Sequence, residues 1–167
     1  QKELITRSKI RNEAVVSATL AVEKPAMIFI REIEHGRTLT QMLEQAGLRT
    51  TFIHGEHSTE WRTSHNKRLL QGHFDVMVAS VVYQEGTDLP ALRSVVIACG
   101  GASIIAALQR IGRGMRIADG KTTFEVVDFK DTGQHWMAKH SQKRIKAYVS
   151  EGHEVIEETA FFQKKVQ

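Results

Sequence analysis

At 167 residues, 41% of them hydrophobic and 25% charged, the sequence is long enough to bury one sizeable core and too ordinary to be fibrous or disordered. Its single cysteine, Cys99, excludes an internal disulfide. No apolar run reaches the length of a membrane span, so an intracellular protein with no membrane partner is expected. The formal net charge of +4 tilts the chain toward anionic partners such as nucleic acid, although excess lysine alone would give the same value.

From the amino end, Lys2 to Val22 carries helical spacing, with Leu4, Ile5, Ile10, Ala14, Val15 and Ala18 recurring at three- and four-residue steps until Pro25. Ala26 to Ile30 is a continuous apolar run, the pattern of a strand buried on both faces. Arg37 to Ala46 reads as a helix with Leu39, Met42 and Leu43 inward and Gly47 as its stop. Thr50 to Ile53 is a second strand. The loop His54 to His57 then leads to a helix capped by Ser58 or Thr59, running to Gln71 and closed by Gly72. Phe74 to Ala79 and Ser94 to Cys99 are further buried strands, separated by the irregular Val81 to Pro90. After Gly100-Gly101, Ser103 can cap a helix leading to Gln109, and Thr123 to Phe129 is a fifth strand. Trp136 to Val149 reads as an amphipathic helix with Lys139, Lys143, Arg144 and Lys146 on its wet side. Strands alternating with helices, without two-residue polarity, predict a parallel α/β sheet with helices on both faces.

Functional groups in such sheets gather in the loops at the carboxyl ends of the strands. Four loops stand out: Arg31 to Gly36, His54 to His57, Ser80 to Asp88, and the Gly100-Gly101 turn. Beyond that turn, Gln109 to Arg116 packs three arginines, a glutamine and two glycines into eight residues. Arg113 and Arg116 are three apart, so a continuing helix would put them on one face. Planar guanidiniums suit phosphate oxygens, although a basic helix end also simply complements its own dipole. In the third loop Gly86 allows close backbone approach, and Asp88 can accept from a sugar hydroxyl. Cys99, inside an apolar run, reads as a core thiol. His54, His57, His65 and His73 lack any H-E-x-x-H or Cys/His framework and read as surface or loop residues, so no metal site is expected. Gly114 to Thr122 superficially resembles a P-loop, but it has five residues between its glycines and leads into a strand. It reads as a turn at Asp119-Gly120.

Gln109-Arg110-Ile111-Gly112-Arg113-Gly114-Met115-Arg116 resembles motif VI, Q-x-x-G-R-x-x-R, of superfamily 2 helicases. Val78-Ala79-Ser80 through Glu85-Gly86-Thr87-Asp88 resembles motif V. Ala26 to Ile30 and His54-Gly55 stand where motifs IV and IVa do, and Val127 to Asp131 resembles the strand that ends this domain. The resemblance covers about residues 22 to 131. It implies a RecA-like C-terminal motor domain at 25–131, preceded by a helix at 1–24 and followed by a helical extension at 132–167. It also implies roles. Arg113 and Arg116 would reach ATP phosphates as catalytic residues, Gln109 would face the nucleotide, and Gly86 and Asp88 would lie by the ribose. Ser80 would touch a backbone phosphate, and Arg31 and Gly55 the same strand. Arg110, on another face, is not assigned a catalytic role.

No G-x-x-x-x-G-K-[ST] occurs in the sequence, and no Asp-Glu pair ends an apolar strand. ATP and Mg2+ are therefore expected to be held by an N-terminal RecA-like domain of the same polypeptide, with this chain inactive by itself. The Q-R-x-G-R-x-x-R form resembles the DNA-directed branches, so DNA is the expected partner ahead of RNA. The alternatives are a freestanding nucleic-acid-binding module with a degenerate motor fold, or part of an RNA helicase or a nuclease complex.

Overall fold

Apolar runs without alternation become strands that water does not reach. β1 (Ala26–Ile30), β3 (Val76–Ser80) and β4 (Ser94–Ile97) are buried at every position. β2 (Thr50–Ile53) and β5 (Glu125–Asp128) keep half-buried or exposed positions, as edge strands do. In the computed structural model, which describes residues 7–81, 92–101, 104–106, 108–109, 124–132 and 134–158, they form one parallel sheet ordered β2-β3-β1-β4-β5. This is the expected α/β, RecA-like arrangement.

The third and fourth strands are shorter than the sequence suggests. Phe74 stays outside the sheet, with the Arg68 guanidinium 4.8 Å from its ring centre. Asp75 instead takes a fork from Arg49, whose backbone N–H and Nε donate to Oδ2 at 2.8 and 3.1 Å and whose Nη2 donates to Oδ1 at 2.6 Å. That fork ties β2 to β3 at the amino edge of the sheet.

Helix α1 (Lys9–Ala21) starts at Ser8, whose hydroxyl accepts from the Arg11 backbone N–H at 3.2 Å. The expected residues before it at 1–6 lie outside the described residues. Helix α2 (Ile33–Gln45) begins four residues earlier than Arg37. His35 and Gly36 resemble turn residues, yet both are buried in its first turns. His35 Nε2 lies 2.9 Å from Asn12 Oδ1 of α1, and a Cβ at Gly36 would sit 2.4 Å from the Phe52 ring. Tertiary contact, which local composition does not reveal, extends this helix. Helix α3 (Thr59–Leu70) is capped by Ser58 as expected, and Gly72 at φ +78° follows its end.

β1 to β2 and β2 to β3 run in opposite directions across the sheet, so right-handed crossovers put α2 and α3 on opposite faces. Accordingly Leu39 and Leu43 join Val15, Ala18, Ile28 and Val78 in one core cluster. Leu69 joins Met27, Phe29, Ile97 and Ile104 in the other, with Trp61, Leu108 and Tyr148 packed against it.

Helix α4 (His135–Ser150) brings a correction. Lys139, Lys143 and Lys146 are exposed as expected, but Arg144 is 0% exposed. Its buried charge is compensated by Asp128, at the end of β5, which lies opposite it.

Candidate functional site

Four strands deliver their next residues to one edge. Ile53, Ala79, Phe29 and Ile97 lie level, so His54, Ser80, Ile30 and Ala98 follow one another across the carboxyl edge, with Arg31 one residue beyond the end of β1. At about 4.8 Å per strand, this row spans about 14 Å. Connections leave β1 and β4 toward opposite sides of the sheet, which makes the gap between them the topological switch point. Arg31 and the Gly100-Gly101 turn flank that gap. Gly101 has φ +100°, which favours glycine, and a Cβ there would meet Arg31 Nη2 at 2.9 Å and displace the guanidinium from its place over the turn.

The expected contact residues differ in access. Arg31 and Gly55 are exposed, whereas Ser80 is 5% exposed at the end of β3. Gln109 is exposed and helical, eight residues beyond Gly101, and its Nε2 donates to Glu151 Oε1 at 2.9 Å. Gly86, Asp88, Arg113 and Arg116 lie outside the described residues, as do Arg110, Ser103 and the turn at Asp119-Gly120.

Beside Gly55 stands a feature the sequence reading missed. Phe52, His54, His57, Trp61, His65 and Phe74 form a column, tilted from Phe52 to His57 and stacked from His57 onward, with successive ring centres 4.8, 3.9, 3.9, 3.5 and 5.8 Å apart. His54 is buried, not a surface residue. His57 Nδ1 accepts from the His54 backbone N–H at 3.2 Å. That role needs a neutral ring, and desolvation together with His54 and His65 lowers the His57 pKa accordingly. The spacing of His57, Trp61 and His65 at four-residue steps was the available signal.

A buried polar cluster lies behind the β4 and β5 ends. Arg144 Nε donates to Asp128 Oδ2 at 2.7 Å and Nη2 to Oδ1 at 3.2 Å, while Nη1 reaches the Gly101 carbonyl at 3.1 Å. Nη2 also donates to the Phe129 carbonyl at 3.1 Å and Ser141 Oγ at 3.2 Å. Burial disfavours the Arg144 charge, but the Asp128 charge and hydrogen bonds more than offset it and raise its pKa. Tyr148 donates to Asp128 Oδ2 at 2.8 Å, and burial, then Asp128, hold its phenol protonated. On the α1 side Arg11 pairs with Asp131. Cys99 is buried and its thiol is raised to about 11 by burial, which leaves a neutral core thiol. Among the described residues no group of three or more His, Cys, Asp or Glu is placed to hold a metal ion, and no helix is long and apolar enough to cross a membrane.

Residues 10–118 match the family model described as helicase conserved C-terminal domain. Putative helicase 22 of Sulfolobus islandicus filamentous virus is 26% identical over 118 residues, covering 70% of this chain and 21% of that protein. ATP-dependent DNA helicase uvsW of Enterobacteria phage T4 is 25% identical over 168 residues, covering 89% of this chain and 34% of that protein. The T4 UvsW crystal structure superposes with TM-score 0.70 and 26% identity over 90% of this chain and 34% of that one. ATP-dependent RNA helicase SrmB of Escherichia coli is 30% identical over 106 residues, covering 64% of this chain and 24% of that protein. Its crystal structure with regulator of ribonuclease activity A superposes with TM-score 0.65 and 24% identity, over 79% of this chain and 77% of that one. This chain thus spans between 21% and 34% of the length of these relatives.

Proposed function

The chain belongs to the helicase conserved C-terminal domain family of superfamily 2 helicases, and from that membership we propose that it is the second motor domain of an ATP-dependent DNA helicase or translocase. ATP and its Mg2+ sit on a first RecA-like domain of the same polypeptide. Arg113 and Arg116 stabilise the charge that develops as the γ-phosphoryl group departs. Gln109 faces the nucleotide, and Gly86 and Asp88 lie by its ribose. Arg31, Gly55 and Ser80 face the nucleic-acid backbone, with Arg31 and Gly55 forming the accessible part of that surface.

The observation that carries this reading is the convergence at one edge of the sheet. Arg31, Gly55 and the turn leading to Gln109 come from three separate loops, yet all stand at the carboxyl ends of β1, β2 and β4. A cation and an open glycine there can follow a phosphate backbone without reading bases. Opening and closing of the interdomain cleft then moves that surface along the strand. DNA is favoured over RNA because the arginine segment has the Q-R-x-G-R-x-x-R form and the alignment to the phage DNA helicase covers 89% of this chain.

The test is ATP hydrolysis by a polypeptide in which this chain follows a P-loop domain. Single-stranded DNA should stimulate turnover more than RNA does, and Arg113→Ala or Arg116→Ala should lower kcat roughly a thousandfold. Normal turnover in both variants would remove the arginines from catalysis. The 167-residue chain by itself should hydrolyse no ATP.

A further inference from the structure

Helix α4 runs alongside the helical residues 104–106 and 108–109 and holds that stretch at both ends. At the near end, Arg144 Nη1 donates to the Gly101 carbonyl at 3.1 Å. At the far end, Glu151, the residue that caps α4, accepts from Gln109 Nε2 at 2.9 Å. Arg144 and Glu151 are seven residues apart, about 10 Å along a helix, and the two contacts bracket Gly101 to Gln109. Between them, Tyr148 and Leu108 pack against the core cluster that contains Ile104.

The near contact is stiff for a physical reason. Arg144 cannot slide, because Asp128 grips its guanidinium in two places and Nη2 donates as well to the Phe129 carbonyl and Ser141. Asp128 is itself held by Tyr148 at 2.8 Å. The far contact sets the orientation of an amide. With its nitrogen engaged by Glu151, Gln109 has its carbonyl oxygen to turn toward a ligand donor.

We propose that α4 is the positioning element for the Gln109 amide, with Arg144 and Glu151 as positioning residues that hold Gly101 and Gln109 where the nucleotide-facing role of Gln109 requires them. The inference rests on the motor-domain reading and assigns a task to a helix beyond the strand that closes the sheet.

The experiment uses the two-domain polypeptide with Arg113→Ala as reference. Glu151 is exposed, so its substitution should leave the fold intact. Glu151→Ala should lower kcat for DNA-stimulated ATP hydrolysis roughly tenfold, as small misplacements of catalytic groups do. The KM for ATP should change less than kcat, because the first domain carries the P-loop and Mg2+ contacts to the nucleotide. Glu151→Gln keeps an acceptor for Gln109 and should restore wild-type kcat. Arg144→Lys, which loses the fork, should lower kcat further. Wild-type kcat in Glu151→Ala, beside an inactive Arg113→Ala, overturns the positioning role and leaves the motor reading standing. A loss confined to Arg144→Lys that tracks its melting temperature also overturns it. Normal turnover in Arg113→Ala removes the motor reading, and the positioning role with it.

Discussion

Arg144 shows how one residue can belong to the core while its neighbours in sequence belong to solvent. It lies among the exposed lysines 139, 143 and 146, yet is itself fully buried and paired with Asp128. Removing only the cation would leave a partly buried carboxylate and the Gly101 carbonyl without it. Arg144→Met should therefore cost about 3–5 kcal/mol, read from urea unfolding. His35 carries the opposite polarity. Burial, and then the Arg11 charge, lower its pKa from 6.5 to about 4, so the folded protein holds a neutral ring. The unfolded chain takes up a proton below pH 6.5 that the folded chain refuses until about pH 4. His35 thus contributes stability that is fully present above pH 6.5 and is lost as pH falls toward 4. Urea midpoints compared at pH 7 and pH 4.5 should show a loss on the order of 2–3 kcal/mol, much of it absent in His35→Gln.

At the scale of elements, two close approaches set how helices sit on the sheet. Gly36 brings α2 so near β2 that a Cβ would stand 2.4 Å from two Phe52 ring atoms. In an isolated helix Gly→Ala would gain about 1 kcal/mol. Here overpacking should outweigh that gain, and Gly36→Ala should destabilise the protein by about 1–3 kcal/mol in urea titrations. An unchanged or raised midpoint would mean that Phe52 turns away at no cost. The Gly101 turn makes the second approach, where both positive φ and Arg31 disfavour a side chain. The ring column along α3 belongs to this scale too. It explains why a helix with only Leu69 buried still docks: His57, Trp61 and His65 face the same way and stack into a half-buried wall.

For the whole molecule, the arrangement of strands sets where the candidate contact loops gather. A parallel sheet ordered β2-β3-β1-β4-β5 puts every loop that follows a strand at one edge, and the crossing between β1 and β4 opens a gap there. Binding of single-stranded DNA by this chain should weaken linearly with salt on logarithmic axes. Arg31→Ala should reduce that slope by about 0.7, the share of one phosphate contact. An unchanged slope would place Arg31 away from the nucleic acid, and its role would then be to cover the Gly101 turn.

Much of this protein was legible along the chain because local rules carry it. Buried strands read as apolar runs, Ser58 and Gly72 bounded α3, and Cys99 lay inside a run that could only be core. The motor-domain family was equally legible, since its motifs are short and keep their order. The start of α2, the burial of Arg144, the column through His54 and the bracket from Gly101 to Gln109 were not. The start of α2, the burial of Arg144 and the contacts to Gly101 and Gln109 depend on partners 16 to 43 residues away, as with Gly36 and Phe52 or Arg144 and Gly101, whereas the column needs the turn at His54 to bring near neighbours face to face. Sequence by itself determined the elements and the family, through periodicity, capping and motif spacing. Only the tertiary structure decided which charges are buried and which helix contacts Gly101 and Gln109, because desolvation and pairing depend on what the fold brings alongside.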